Sequence, residues 1–255
     1  VLLVLSPLLS QPASAQASVE DQVFAIVARN LGILPAPTKG QLDSGNLGDY
    51  PFPISYRTHG LDLNPSTGAP QCDSRVLGDE EVIIGWFGFR IVVTVQGRRY
   101  EFRTNSTGGL IIRCSGGQEV SMDFGAAASR GNFRSGWDVT DQAMRHLTGY
   151  LALETAITRE AVDAAYQARL NGEENNFPYR VSYRWDSRIF TNSVLNCPAS
   201  GGTWTNGDAA GYLMTISVDG RSYQYRASPD GSVLILCLGG RADTSSQGVT
   251  FAAES

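Results

Sequence analysis

The chain has 255 residues, 42% of them hydrophobic and 18% charged, with a formal net charge of −5. This length accommodates one large or two ordinary domains, and this composition describes a globular protein. The small negative charge gives no hint of nucleic acid, which would want a clustered basic face, and no nucleic-acid partner is expected.

The opening residues, VLLVLSPLLSQPASAQA, read as a secretory signal. An apolar run (Val1 to Leu5, then Leu8 and Leu9) precedes Ala13-Ser14-Ala15, a small-x-small cleavage pattern, so residues 1–15 are assigned to the signal. No initiator Met or basic segment precedes the run, which reads as a signal truncated at its start. The run is too short to span a bilayer, and the protein is not expected to be membrane-spanning. The expectation is a mature protein beginning near Gln16 and exported to the periplasm or beyond.

Val19 to Leu31 places Val19, Val23, Ile26, Val27 and Leu31 at helical spacing, with Ser18 as N-cap and Gly32 as stop. The counterpart VTDQAMRHLTGYL begins at Val139, and Asp21 and Gln22 recur as Asp141 and Gln142. After the first helix, PAPTKGQLDSGNLGDYPFP reads as a Pro/Gly-rich loop. After the second, TREAVDAAYQARL is Ala-rich and adds helix before Gly172.

Ile54-Ser55-Tyr56-Arg57 and Val181-Ser182-Tyr183-Arg184 then give a short strand in each copy, followed by a polar loop to the first cysteine. Phe89 to Val95 and Tyr212 to Val218 alternate with period two, the mark of a strand with one buried face. Gln96-Gly97 and Asp219-Gly220 turn the chain. Tyr100 to Arg103 and Tyr223 to Arg226 return, and Leu110 to Cys114 and Val233 to Cys237 close each unit. The stretch GRRYEFRTNSTGGLIIRC thus recurs as GRSYQYRASPDGSVLILC, and the chain reads as a duplication.

The fold class is α+β: two tandem repeats, each an N-terminal helix on a four-stranded antiparallel sheet with one disulfide. Repeat 1 spans 16–114, a Gly/Ser/Ala-rich linker 115–137, repeat 2 138–237, and a flexible tail 238–255. Four cysteines allow three pairings, and their nearly equal spacing in each copy favours Cys72–Cys114 and Cys197–Cys237. Each closed loop stabilises its repeat by about 4 kcal/mol on the chain-entropy model. No close Cys or His pair has metal-ligand spacing, so neither metal nor cofactor is expected. Each closing cysteine shares the parity of its strand's inward residues, Leu110 and Ile112 or Val233 and Ile235.

The second copy carries Trp185-Asp186-Ser187, Leu195, Cys197-Pro198, Gly211-Tyr212, Tyr223, Tyr225-Arg226 and Cys237 in this order. In this it resembles a secreted bacterial domain common in cyanobacteria and actinobacteria. Asn196 stands where that family usually has Gly, and the first copy lacks the Trp and the Cys-Pro. The resemblance implies fold and compartment and carries no activity.

No constellation has catalytic spacing. His59 and His146 lie in different copies without counterparts, and each reads as a surface histidine. Asp79-Glu80-Glu81 and Glu173-Glu174 read as solvated loop acids. Asp62 to Gly68 lacks the sixth-position glycine and the twelfth-position Glu of a calcium loop. On the second sheet face, Leu213, Leu234 and Leu236 form an apolar patch that a partner or the other repeat would cover. Ile111 and Arg113 are assigned to the same face of the first copy. Arg103 and Arg226 recur at one strand position, as an ion pair with a nearby carboxylate or as ligand contacts.

The leading expectation is an exported, non-enzymatic module that binds a protein or an envelope polymer, in the manner of a small secreted inhibitor. The rival is an envelope hydrolase with its site in the variable loops around His59 or Asp79. A third reading is a structural envelope component.

Overall fold

The computed structural model describes residues 17–63, 66–78, 85–125 and 131–243. The segment read as a signal, Asp79 to Glu81 and the end of the tail lie outside the described residues. Two five-stranded antiparallel sheets and four helices form the described fold, in two similar halves.

Helix α1 (Val19–Leu31) has the bounds its spacing predicts. Ser18 Oγ accepts from the Asp21 amide, Asp21 accepts in return from the Ser18 amide, and Gly32 closes the helix in the left-handed region. In the segment read as a loop, Thr38 and Gln41 form a second capping box that starts α2 (Lys39–Ser44). The first sheet runs in sequence order through β1 (Ile54–Asp62), β2 (Phe87–Val95), β3 (Arg98–Asn105), β4 (Ile111–Ser115) and β5 (Gln118–Val120). The second half repeats this with α3 (Gly136–Tyr150), α4 (Arg159–Asn171), β6 (Val181–Asn192), β7 (Asn206–Val218), β8 (Arg221–Ala227), β9 (Leu234–Leu238) and β10 (Arg241–Ala242).

Each sheet therefore has five strands where the sequence suggested four. The added strands fall in the segments read as linker and tail: β5 pairs with β4, and β10 with β9. Thr58-His59-Gly60 and Trp185-Asp186-Ser187, read as loop, continue β1 and β6.

Several contacts recur at matched positions. Asp21 accepts from the first amide of α2, at Lys39, and Asp141 from that of α4, at Arg159. Tyr56 donates to Asp43 and Tyr183 to Asp163, tying each second helix to its edge strand. Gly88 and Gly211 admit no side chain. A Cβ would lie 1.9 Å from Thr104 O in the first half and 2.5 Å from Ala227 O in the second.

Buried side chains from both halves join in one main cluster. It includes Phe24, Val27 and Leu31 of α1, Ile91 and Phe102 of the first sheet, Met144 and Leu147 of α3, and Met214 and Tyr225 of the second sheet. Helix α1 lies against β7 of the other half as well as β2 and β3 of its own. Phe52 stacks on Tyr212 with ring centres 5.8 Å apart, and Gln96 Nε2 donates to Ser187 O at 2.9 Å. Asp208 accepts from the Tyr100 hydroxyl at 2.8 Å and pairs with Arg98 at 3.1 Å. Burial and that carboxylate push the Tyr100 hydroxyl pKa upward, so it stays protonated and keeps donating.

Among the described residues, no helix is long and apolar enough to cross a membrane.

Candidate functional site

Each sheet has a helical face and a loop face, and the cysteine loops define the second. The disulfides are Cys72–Cys114, with Cα atoms 5.6 Å apart, and Cys197–Cys237, with Cα atoms 6.1 Å apart. Both close within one half.

The strand registers correct the expected faces. Tyr225 is opposite Leu236 and Gln224 opposite Cys237, so Leu236 points into the common core and Cys237 away from it. Leu234 and Leu236 are 7% and 0% exposed and form no open patch. Leu213 does lie on the loop face, half-buried against a small cluster of Phe190, Leu195 and Ala209. In β4 the same inversion sends Ile111 toward the core and leaves Ile112 on the Cys114 side. Arg113 likewise leaves the loop face: its guanidinium lies 4.0 Å from the centre of the Phe124 ring. The inversion has a simple cause. The cysteines tie down the loop, and the loop covers the side of the sheet opposite the helix.

Arg103 and Arg226 are the anchors of those loops. The Arg103 guanidinium, 7% exposed as a residue, donates to Gln71 O at 3.2 Å and to Ser74 O, on either side of Cys72. It also pairs with Glu101 at 3.2 Å, and Glu101 bonds Arg90 at 2.8 Å. The Arg90 bond leads the effects that hold the Glu101 carboxyl below its ordinary pKa. Arg226 donates to Leu195 O at 2.7 Å and to Asn196 O, just before Cys197, with its guanidinium over the Phe190 ring. The ion pair read from sequence exists for Arg103, whereas Arg226 turns both of its bonds to backbone carbonyls. A guanidinium suits this work because its fixed fork of donors reaches two carbonyls at once.

Held in this way, each loop presents an indole to solvent. Trp86 is 63% exposed and lies over Gly68, where a Cβ would come within 3.1 Å of the ring. Trp204 is 46% exposed. With Pro198 to Gly202 and Arg241 it lines an open depression of about 470 Å³. Pro198 O accepts from the Ala242 amide, the Ser193 amide donates to Thr205 O and the Thr205 amide donates to Ser193 Oγ, so the rim is fixed at several points. Neither tryptophan stands out in the sequence. Their only signal was a large aromatic residue in a Gly-rich segment just before a strand.

His59 sits on β1 opposite Arg90, whose guanidinium is engaged by Glu101. His146 Nδ1 is 2.8 Å from the Tyr225 hydroxyl. Burial depresses the His146 pKa, against a smaller opposing effect of Asp243, so the neutral ring is favoured. The described structure does not bring the two histidines into one constellation. Among the described residues, no group of three or more His, Cys, Asp and Glu side chains is placed to hold a metal.

Comparison of the chain with protein-family models, with curated proteins and with solved structures returned no match.

Proposed function

We propose that the protein is an exported, non-enzymatic interaction protein whose two cysteine loops present aromatic side chains to a protein or an envelope polymer. Two disulfides support an oxidising compartment, and the resemblance to secreted bacterial domains agrees with it. The observation that carries the reading is Trp204. Its exposed indole stands at the mouth of a depression whose backbone is already fixed by a disulfide and by Arg226. An aromatic ring on a rigid loop offers a large contact area at little ordering cost, the property that recurs at recognition surfaces. Trp86 is a second exposed indole, on the cysteine loop of the first half.

The test is capture of partners from the source's envelope fraction by the mature protein and by its Trp86→Ala, Trp204→Ala and doubly substituted forms. The reading expects a specific partner whose retention falls at least about tenfold in the double variant, the scale of a lost aromatic hot spot. Equal capture by all four proteins would overturn it. So would turnover of an envelope substrate that His59→Ala abolishes, which would establish the hydrolase instead.

A further inference from the structure

The two halves of this chain meet through unlike surfaces, and the counterparts of those surfaces remain partly exposed, one on each half. The first half contributes an aromatic–Pro–aromatic segment, Tyr50-Pro51-Phe52, immediately before β1. Phe52 is fully buried and stacks on Tyr212, while Tyr50 packs edge-on against Phe133 at 5.4 Å. The second half receives Phe52 on the helical face of β7, where Ala210 and Tyr212 are both 0% exposed.

The duplication supplies each surface a second time. Register places Ile54 opposite Val95 and Val181 opposite Val218, so Phe177-Pro178-Tyr179 precedes β6 as Tyr50-Pro51-Phe52 precedes β1. Phe177 and Tyr179 are only partly buried. With Val162, Ala165 and Tyr166 of α4 they line a narrow cleft, and Tyr166 and Leu170 of the same helix are 56% and 63% exposed. Leu31 and Ile33, fully buried in the first half, correspond to Leu151 and Leu153, which remain partly open. On the first half, the residues matching Ala210 and Tyr212 are Phe87 and Phe89. Both are partly exposed, with their rings packed edge to face 5.9 Å apart.

An interface between unlike patches does not close on itself, and a unit that carries both patches can take another unit at each end. Within the chain that contact is made once. We propose that a second copy of this chain makes it again, setting its Phe87 and Phe89 face on the Phe177, Tyr179 and Tyr166 face of the first. The inference extends the established contact of Phe52 with Tyr212 to the surfaces that repeat it. It also gives the apolar side chains on both halves a cover that isolated soluble domains seldom leave undone. The resulting association is end to end and polar, and each added copy restores one free end of each kind.

Two substitutions test this through complementation. Tyr166→Glu alters an exposed position at the second-half end, and Phe87→Glu the receiving face at the first-half end. Sedimentation velocity from micromolar to millimolar concentration should show the mature wild-type protein growing through dimer to longer species. Each variant alone should remain monomeric. An equimolar mixture of the two should form dimers and nothing longer, because each supplies the end that the other lacks. A wild type that stays monomeric at millimolar concentration overturns the proposal, as does a single variant that still dimerises.

A second measurement covers the case in which Phe87→Glu disturbs β2. A benzophenone side chain in place of Tyr179, irradiated in otherwise unaltered protein, should crosslink to the peptide carrying Phe87 and Phe89 of another molecule. A crosslink between two second halves, or only within one molecule, overturns the polarity.

Discussion

Phe52, from the segment entering the first sheet, lies stacked on Tyr212 of the second sheet with an interplanar angle of 26°. The contact joins the two halves at the centre of a shared core, and Phe52 has no exposed surface. Phe52→Ala is expected to cost about 3–5 kcal/mol, the usual range for a buried aromatic truncated in a core. Because the core is shared, urea unfolding should remain a single transition at a lower midpoint, read equally from tryptophans of either half. Two separated transitions would contradict a common core.

Gly88 and Gly211 make a graded pair. An added methyl at Gly88 would lie 1.9 Å from Thr104 O, and at Gly211 2.5 Å from Ala227 O. Neither carbonyl can move without opening the ladder to the neighbouring strand. Gly88→Ala should therefore destabilise by more than about 3 kcal/mol and Gly211→Ala by somewhat less, in the range of severe strain and overpacking. Gly40→Ala in α2, with nothing within 4 Å, should be neutral to slightly stabilising. Thermal midpoints of the three variants check the order.

Arg226→Met keeps much of the side chain's apolar length but removes the donors to Leu195 O and Asn196 O. Two carbonyls of the cysteine loop then lose a charged partner, a loss of about 1–3 kcal/mol. The Cys197 loop should open more often, so reduction of Cys197–Cys237 by dithiothreitol should accelerate while that of Cys72–Cys114 stays unchanged. Mass spectrometry of alkylated peptides distinguishes the two bonds.

His146 favours its neutral form in the folded state because burial disfavours the charge. Unfolding releases it to its ordinary pKa near 6.5. The unfolded chain thus binds a proton that the folded chain resists, and stability falls as pH drops from above 6.5 toward the depressed value. His146→Gln, which retains a polar partner for the Tyr225 hydroxyl, should flatten the pH dependence of the urea midpoint between about pH 8 and about pH 5.5, a range that brackets the ordinary histidine value. An unchanged slope would place the titration elsewhere.

Much of this fold is written in local patterns. Ser18, Asp21 and Gly32 mark the ends of α1 through caps whose chemistry is local, and the near-equal cysteine spacing of the copies indicates the two disulfides. Other features have no local record. Val233 to Leu238 is an unbroken apolar run, so its parity is set by the pairing of Tyr225 with Leu236 and not by alternation. Helix α2 announces itself only through Thr38 and Gln41 among prolines and glycines. Trp86 and Trp204 become candidates only when their exposure on fixed loops is known. That Phe52 is covered by the other half while Tyr179 is not depends on assembly, to which the pattern of either half is blind.

Both disulfides close inside a half, so across the shared core the two halves are held covalently by the backbone of the connecting segment alone. That segment acts as a tether that sets an effective concentration of one half for the other. A single proteolytic nick between residues 125 and 131 would leave two disulfide-closed fragments held by contact alone. The stability of the core would then depend on dilution, which does not affect the intact chain.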